Sequence, residues 1–490
     1  MNNNNAVIAN ELKLKRTLKA RHLNMIALGG SIGTGLFLAS GGSIAQAGPG
    51  GALLAYTLIG VMVYFLMTSL GEMSTNMPTS GSFSEYAKRY FDKSLGFASG
   101  WNYWFNWAIT LASELAAAAV IMKFWFPDVP GWIFSLLFLF IILALNIISV
   151  RGFGESEYVF SSIKVVTVIV FIIVGAGIIL GLWGGEGHTV GFENWFIGDA
   201  PFHDGVLGVL AIMMIAGYSF QGTELLGVAA GETDDPKKNV PKAVRQIFWR
   251  IVLFYMLSIF VIGTLIPYTN ENLSLEDVAV SPYTLVFSQI GIPAAASVLN
   301  AVILIAVLSA GNSGTYASTR MLFALAEQGE APKVFSQVSK NGVPVPALLL
   351  TIAVGGASCL SSIVGDGEMY NLLLNISALA GFITWFIIAL SHYRFRKAFI
   401  KQGKSLDDLP FKAKFFPVGQ LLALFLCGFV IIGQGFSAFS DTGVDWNALL
   451  STYIGVPVFF VVYFAHKFKH KTRLVRLEEM DLDGIDNILK

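Results

Sequence analysis

The sequence predicts an all-α membrane protein of twelve transmembrane helices, on three observations. Of 490 residues, 54% are hydrophobic and 13% charged, about half the charged share of a soluble domain. Apolar stretches near the roughly 20 residues that a membrane helix requires recur along the chain. Charge is segregated, with 30 of the 32 Lys and Arg in alternate connections and acids in the connections between them. A neutral, apolar chain of this kind would expose large adhesive patches in water. Composition therefore excludes a soluble enzyme, a nucleic-acid binder and a disordered chain.

The elements follow in order. Residues 1–21 form a polar tail ending in the basic run Lys13, Lys15, Arg16, Lys19 and Arg21. Hydropathy places spans at about 22–46, 51–72, 97–124, 131–150, 157–182, 206–230, 247–267, 292–314, 346–365, 368–391, 416–436 and 447–466. A second tail covers 467–490. An even number of spans puts both tails on one side, and the basic connections put that side in the cytoplasm. Arg250 and Arg320 belong to the basic connections in this reading. Lys123, at an outer helix end, reaches toward water. Residues 82–93 place Phe83, Tyr86, Ala87, Tyr90 and Phe91 on one helical face, opposite Ser82, Glu85, Lys88, Arg89 and Asp92. This predicts an amphipathic helix on or under the bilayer, and Tyr316 to Gln328 predict another.

Chemistry-bearing motifs of soluble proteins are missing. Cys359 and Cys427 both lie in apolar stretches, and the six His are scattered. Gly403-Lys404-Ser405 lacks the upstream glycine of a phosphate-binding loop. No cofactor, catalytic or metal residue is predicted, and no enzyme.

The informative positions are two interruptions. Span 1 holds Gly29-Gly30-Ser31-Ile32-Gly33-Thr34-Gly35, and span 6 holds Tyr218-Ser219-Phe220-Gln221-Gly222-Thr223-Glu224. They lie five spans apart and share a Gly-Thr step. Such matched clusters are either close helix contacts or unwound segments around a site at the membrane midplane in an inverted-repeat transporter. An unwound segment offers free N–H groups to a carboxylate and free carbonyls to an ammonium. A zwitterion uses both.

Five stretches resemble the amino acid permeases of the amino acid–polyamine–organocation superfamily. They are Ile26 to Phe37; Leu70-Gly71-Glu72-Met73 with Pro78 to Phe83; Phe220 to Leu225; Glu232 with Pro236 to Ala243; and Ser309 to Ser313 leading to Arg320-Met321-Leu322. The likeness runs from about Lys13 to His466, and within the superfamily the sequence is similar to bacterial lysine-specific permeases. The resemblance implies a LeuT-like five-plus-five inverted repeat, over about 22–182 and 206–391, with spans 1 and 6 broken and two extra helices at 416–466. It also implies uptake of L-lysine together with a proton. A carrier of neutral or aromatic amino acids, an exchanger of basic amino acids, and a membrane sensor with a signalling partner remain open.

The candidate substrate residues are Ser31, Ile32, Gly33, Thr34 and Gly35 in span 1, with Tyr218, Phe220, Gln221, Thr223 and Glu224 in span 6. Tyr218 and Phe220 are candidate gates, chosen by the resemblance at the break. Glu224 is either a substrate contact or a structural group that holds the break. Tyr103, Trp107, Thr110 and Glu114 form one stripe on span 3, suited to a long cation through aromatic faces and a terminal carboxylate. Glu72, at a span end, reads as structural. Lys164 lies some seven residues into span 5, where burial disfavours its charged form. The resemblance gives Lys164 the proton-coupling role, with Ser309 and Ser313 beside it.

Overall fold

The computed structural model describes residues 25, 32–79, 81–148, 150–182, 191–273, 281–288, 293–436, 439–440, 443–444 and 446–482. Residues 22–24 and 26–31 of span 1, including Ser31, lie outside them. The chain enters as a short helix α1 (Thr34–Phe37), then α2 (Ala39–Asn76), kinked at Gly48-Pro49. Here Pro49 contributes no N–H to the ladder, and the Gly50 and Gly51 N–H groups bond to Pro201 O instead. Next come α3 (Ser82–Tyr90), α4 (Lys93–Met122), α5 (Gly131–Ile148) and α6 (Val150–Ile179). The second half opens with α7 (Gly205–Phe220) and α8 (Leu225–Ala229), followed by α9 (Pro236–Arg250), a π-helical turn Ile251–Met256 and α10 (Leu257–Leu265). Then follow α11 (Pro282–Ser288), α12 (Pro293–Glu327), α13 (Val345–Gly355), α14 (Ser361–Val364), α15 (Asp366–Lys401), α16 (Val418–Gly433), α17 (Trp446–Tyr453) and α18 (Gly455–His470). A two-residue antiparallel pair, Phe439–Ser440 with Gly443–Val444, joins α16 to α17.

Among the described residues, eight helices are long and apolar enough to cross a membrane: Ala39–Asn76, Lys93–Met122, Phe153–Ile179, Gly205–Glu232, Pro236–Leu265, Ala296–Glu327, Val345–Val364 and Asp366–Lys401. Gly131–Ile147 and Val418–Gly433 are shorter apolar helices. The bundle centre is α4, which packs along α12 and α15, while α2 packs along α7.

Several elements differ from the sequence reading. Tyr316 to Gln328 are not a separate surface helix, because α12 continues unbroken to Glu327. Arg320 is therefore a buried helical residue, paired with Glu232 at 2.9 Å. Arg250 is likewise buried inside the continuous Pro236–Leu265 helix rather than in a connection. In both cases the helix ladder runs past the point where hydropathy falls, since backbone bonding does not depend on side-chain polarity. Lys123 reaches not only toward water but also to Asp366, at 2.5 Å.

The amphipathic helix α3 forms where expected, and most of its apolar face is covered, with Phe91 half-buried. Phe83, Tyr86 and Tyr90 are buried, with Phe83 against Tyr103. Asp92, assigned to the polar face, is buried instead. It caps α4 by accepting the Leu95 N–H at 2.7 Å, and it takes Lys467 and Tyr463 from α18 at 2.8 and 2.9 Å.

A strap of residues 472–482 closes this end of the bundle. The Val475 N–H donates to Phe91 O at 2.8 Å, and Gln402 donates to Leu477 O and Met480 O, both at 2.9 Å. Asn76 donates to Leu482 O, and Arg89 pairs with Asp481 at 2.7 Å. Beneath it, buried Glu72 bonds Arg396 through both carboxylate oxygens and accepts the Ala413 N–H at 2.6 Å. This supports the structural reading of Glu72.

Candidate substrate site

The break in the second half is explicit. The α7 helix stops at Phe220, Gln221 turns extended (φ −59°, ψ 149°), and Gly222 takes φ +94°, a region that glycine enters without steric cost. The Gly222 N–H donates to both oxygens of Glu224 at 3.2 Å. Trp385 Nε1 donates to Glu224 Oε2 at 3.2 Å. The Glu224 carboxylate thus staples the break, and it does not line the cavity described next.

In the first half, α1 starts at an extended Gly33. Gly35 lies so close to the end of α7 that a Cβ there would sit 2.5 Å from Ser219 Cα. Between the start of α1 and the break after α7 is a cavity lined by Gly33, Gly35, Trp107, Thr110, Glu114, Tyr218, Ser219, Gln221 and Ala310. Its volume is about 10 Å³, room for about one water molecule.

Glu114 is the only carboxylate among those lining residues. Its Oε1 accepts from Thr34 Oγ1 at 3.1 Å and Tyr218 Oη at 3.3 Å. Its Oε2 is buried with no hydrogen-bond partner among the described residues. A buried, half-satisfied carboxylate is costly, and a cation delivered to the cavity would complete it. Gln221 is held by Ser377 O at 3.2 Å and Ala378 O at 3.3 Å, so its position in the wall is fixed.

The structure thus gathers Gly33, Gly35, Trp107, Glu114, Tyr218 and Gln221 around one cavity, with Thr34 bonded into its wall. It does not bring every candidate there. Phe220 turns away and stacks on Tyr255, with ring centroids 4.0 Å apart. Tyr103 packs between Phe83 and Trp107, outside the lining. Ile32, just ahead of α1, and Thr223, in the break after α7, are buried.

Lys164 is fully buried on α6. The Ser309 hydroxyl donates at 2.7 Å to Glu157, which shares α6 with Lys164. Ser313 is buried, and its hydroxyl has no partner among the described residues. Glu157, buried and also bonded by Ser161 at 3.3 Å, is the acid that sequence reasoning missed. The signal was available, because Glu157 and Lys164 are seven residues apart and share a helix face. Ser219 lies inside the span 6 interruption read from the sequence, whereas Ser377 was missed without such a signal, as serines are common in membrane helices.

Three groups in the loop before α7 could approach a cation. Asp199, His203 and Asp204 bring ligand atoms within 4.8 Å of one another. Tyr268 and His203 already bond Asp199, at 2.6 and 2.7 Å, and together they hold its carboxyl low, at about 2. The group reads as a loop clasp.

The chain resembles known proteins over most of its length. The profile of the amino acid permease family matches residues 22–479. The lysine-specific permease LysP of Escherichia coli K12 is 55% identical over 470 residues, covering 95% of this chain and 96% of the relative. The lysine-specific permease LysP of Lactococcus lactis is 52% identical, covering 96% and 93%. The histidine permease HisP of the same bacterium is 49% identical, covering 96% and 99%.

Proposed function

Since the chain belongs to the amino acid permease family, we propose that it imports L-lysine together with a proton across the cell inner membrane. Twelve spans cross the bilayer, with inverted repeats over 22–182 and 206–391, extra helices over 416–466 and both tails in the cytoplasm. The observation that carries the substrate is the unpartnered Glu114 Oε2 in the cavity between α1 and the break after α7. The names of relatives at 52–55% identity support the same cation.

In this reading the N–H groups at Gly33 to Gly35 receive the α-carboxylate. Carbonyls of the broken segments receive the α-ammonium, and Glu114 with the Trp107 face receives the side-chain ammonium. Tyr218, bonded to Glu114 and Thr34, seals the cavity. The contracted volume is that of a closed state, and Tyr218 swings aside for substrate to enter. Gln221, Thr223 and Glu224 keep span 6 open, and Lys164 carries the proton. Spans 1, 2, 6 and 7 rock against the rest, drawing the cation and the proton toward the negative interior.

Counterflow of labelled lysine in proteoliposomes, with competitors, tests the substrate. Lysine should compete most strongly. Stronger competition by histidine, the substrate named for the relative at 49% identity, or by a neutral amino acid, would replace lysine. Accumulation should stop when the proton gradient is collapsed. Gradient-driven uptake that persists in Lys164→Ala removes Lys164 from coupling.

A further inference from the structure

A second concavity lies on the outer wall of the bundle, away from the substrate cavity. An apolar slot of about 430 Å³ runs between α4, α15 and α18, lined by Trp101, Phe105, Leu379, Ile383, Val458 and Phe459 among others. The polar groups at its wall are spent inward. Asn102 donates to Ala380 O and Thr384 at 2.8 and 3.0 Å, and Trp101 Nε1 donates to Glu330 O at 3.1 Å. The slot therefore presents hydrocarbon, and its mouth is open at Phe105 and Val458.

At Val462 the slot meets a cup of about 510 Å³ that includes Phe97, Glu330, His466, Lys469 and His470. Its one carboxylate, Glu330, is matched by His466 at 3.2 Å. His466 is itself buried, held by Ser94 at 2.9 Å and stacked under His470. Lys467 is engaged by Asp92. Exposed Lys469 and His470 are left facing outward at the rim.

Length settles the occupant. From Ile454 to Val462, helix rise gives the slot about 12 Å, within half of a hydrocarbon core about 30 Å thick. Lys469 lies about 10 Å further on, at the depth of headgroups. We propose that this groove binds one anionic phospholipid, with an acyl chain in the apolar slot and its phosphate at Lys469 and His470. The match is apolar to apolar within a single leaflet, then cation to anion at its edge. A soluble anion would leave the apolar slot empty. The proposal rests on the bundle lying in a bilayer, not on which amino acid it carries.

The test is native mass spectrometry of the full chain released from nanodiscs of equal phosphatidylglycerol and phosphatidylethanolamine. One phosphatidylglycerol should be retained in preference, by roughly fivefold for a single well-placed lysine near the surface. The double variant Lys469→Glu/His470→Glu should remove the preference. Val458→Trp, which fills the slot, should lower retention of both lipids, with lysine counterflow reporting that the variant is folded. Equal retention by the unaltered chain, or undiminished preference in the charge variant, overturns the proposal. Displacement of the lipid by glycerol 3-phosphate would assign the rim to a free phosphate. A lipid-free dimer that Val458→Trp dissociates would assign the groove to a second copy. Either result also overturns it.

Discussion

At Glu114, Thr34 and Tyr218 engage one carboxylate oxygen and leave the other bare. Hydrogen bonds to charged groups contribute about 1.5–3 kcal/mol, so Glu114→Gln should raise the lysine concentration for half-maximal uptake by roughly ten- to a hundredfold. Unchanged lysine kinetics would remove Glu114 from recognition. Gly35 acts through contact. Its missing Cβ lets α1 approach the backbone of Ser219, so Gly35→Ala should push the two broken segments apart, at about 1–3 kcal/mol. Lower counterflow with normal membrane insertion is the expected outcome, and wild-type counterflow would show that the approach can relax.

The broken α7–α8 segment shows how far sequence reading reaches. Four polar or small residues amid apolar ones marked the interruption, and a loss of helix at 221–224 is what the structure has. The role of Glu224 was left between two readings because a carboxylate after a break can face substrate or backbone equally well. Its bond to Gly222 is local, but its bond to Trp385 depends on α15, 161 residues away along the chain, which no local pattern encodes. The eight described helices long and apolar enough to cross a membrane were legible for the same reason that helix ends were not. Hydropathy records where lipid begins, whereas α9 and α12 carry their ladders beyond it and take Arg250 and Arg320 inside. Because Gly222 sits at φ +94°, Gly222→Ala should cost about 1–3 kcal/mol. A thermal-shift assay in detergent checks this, and an unshifted melting temperature would mean that the break accepts a side chain.

Across the whole molecule, the basic end is fastened more heavily than the charge pattern alone suggested. Glu72 on α2, Arg396 on α15 and the backbone at Ala413 form one buried knot. Removing a single partner strands a charge. Arg396→Ala should therefore destabilise by about 3–5 kcal/mol, and the joint Glu72→Gln/Arg396→Met variant should recover most of that loss. Equal melting temperatures for the single and joint variants would show that the pair is not the source. Asp92, read as a surface residue, is a second knot that joins α4 to α18. Positive loops were legible as an inventory, but their partners lie hundreds of residues away and emerge only when helices pack.

Among the described residues the strap over 472–482 follows the last helix, α18, so its contacts form only after α18 has been made. Until then Phe91, Gln402 and Asn76 hold backbone-bonding groups with no mate from the strap. A chain lacking 472–482 would keep every described helix and leave this base unsealed.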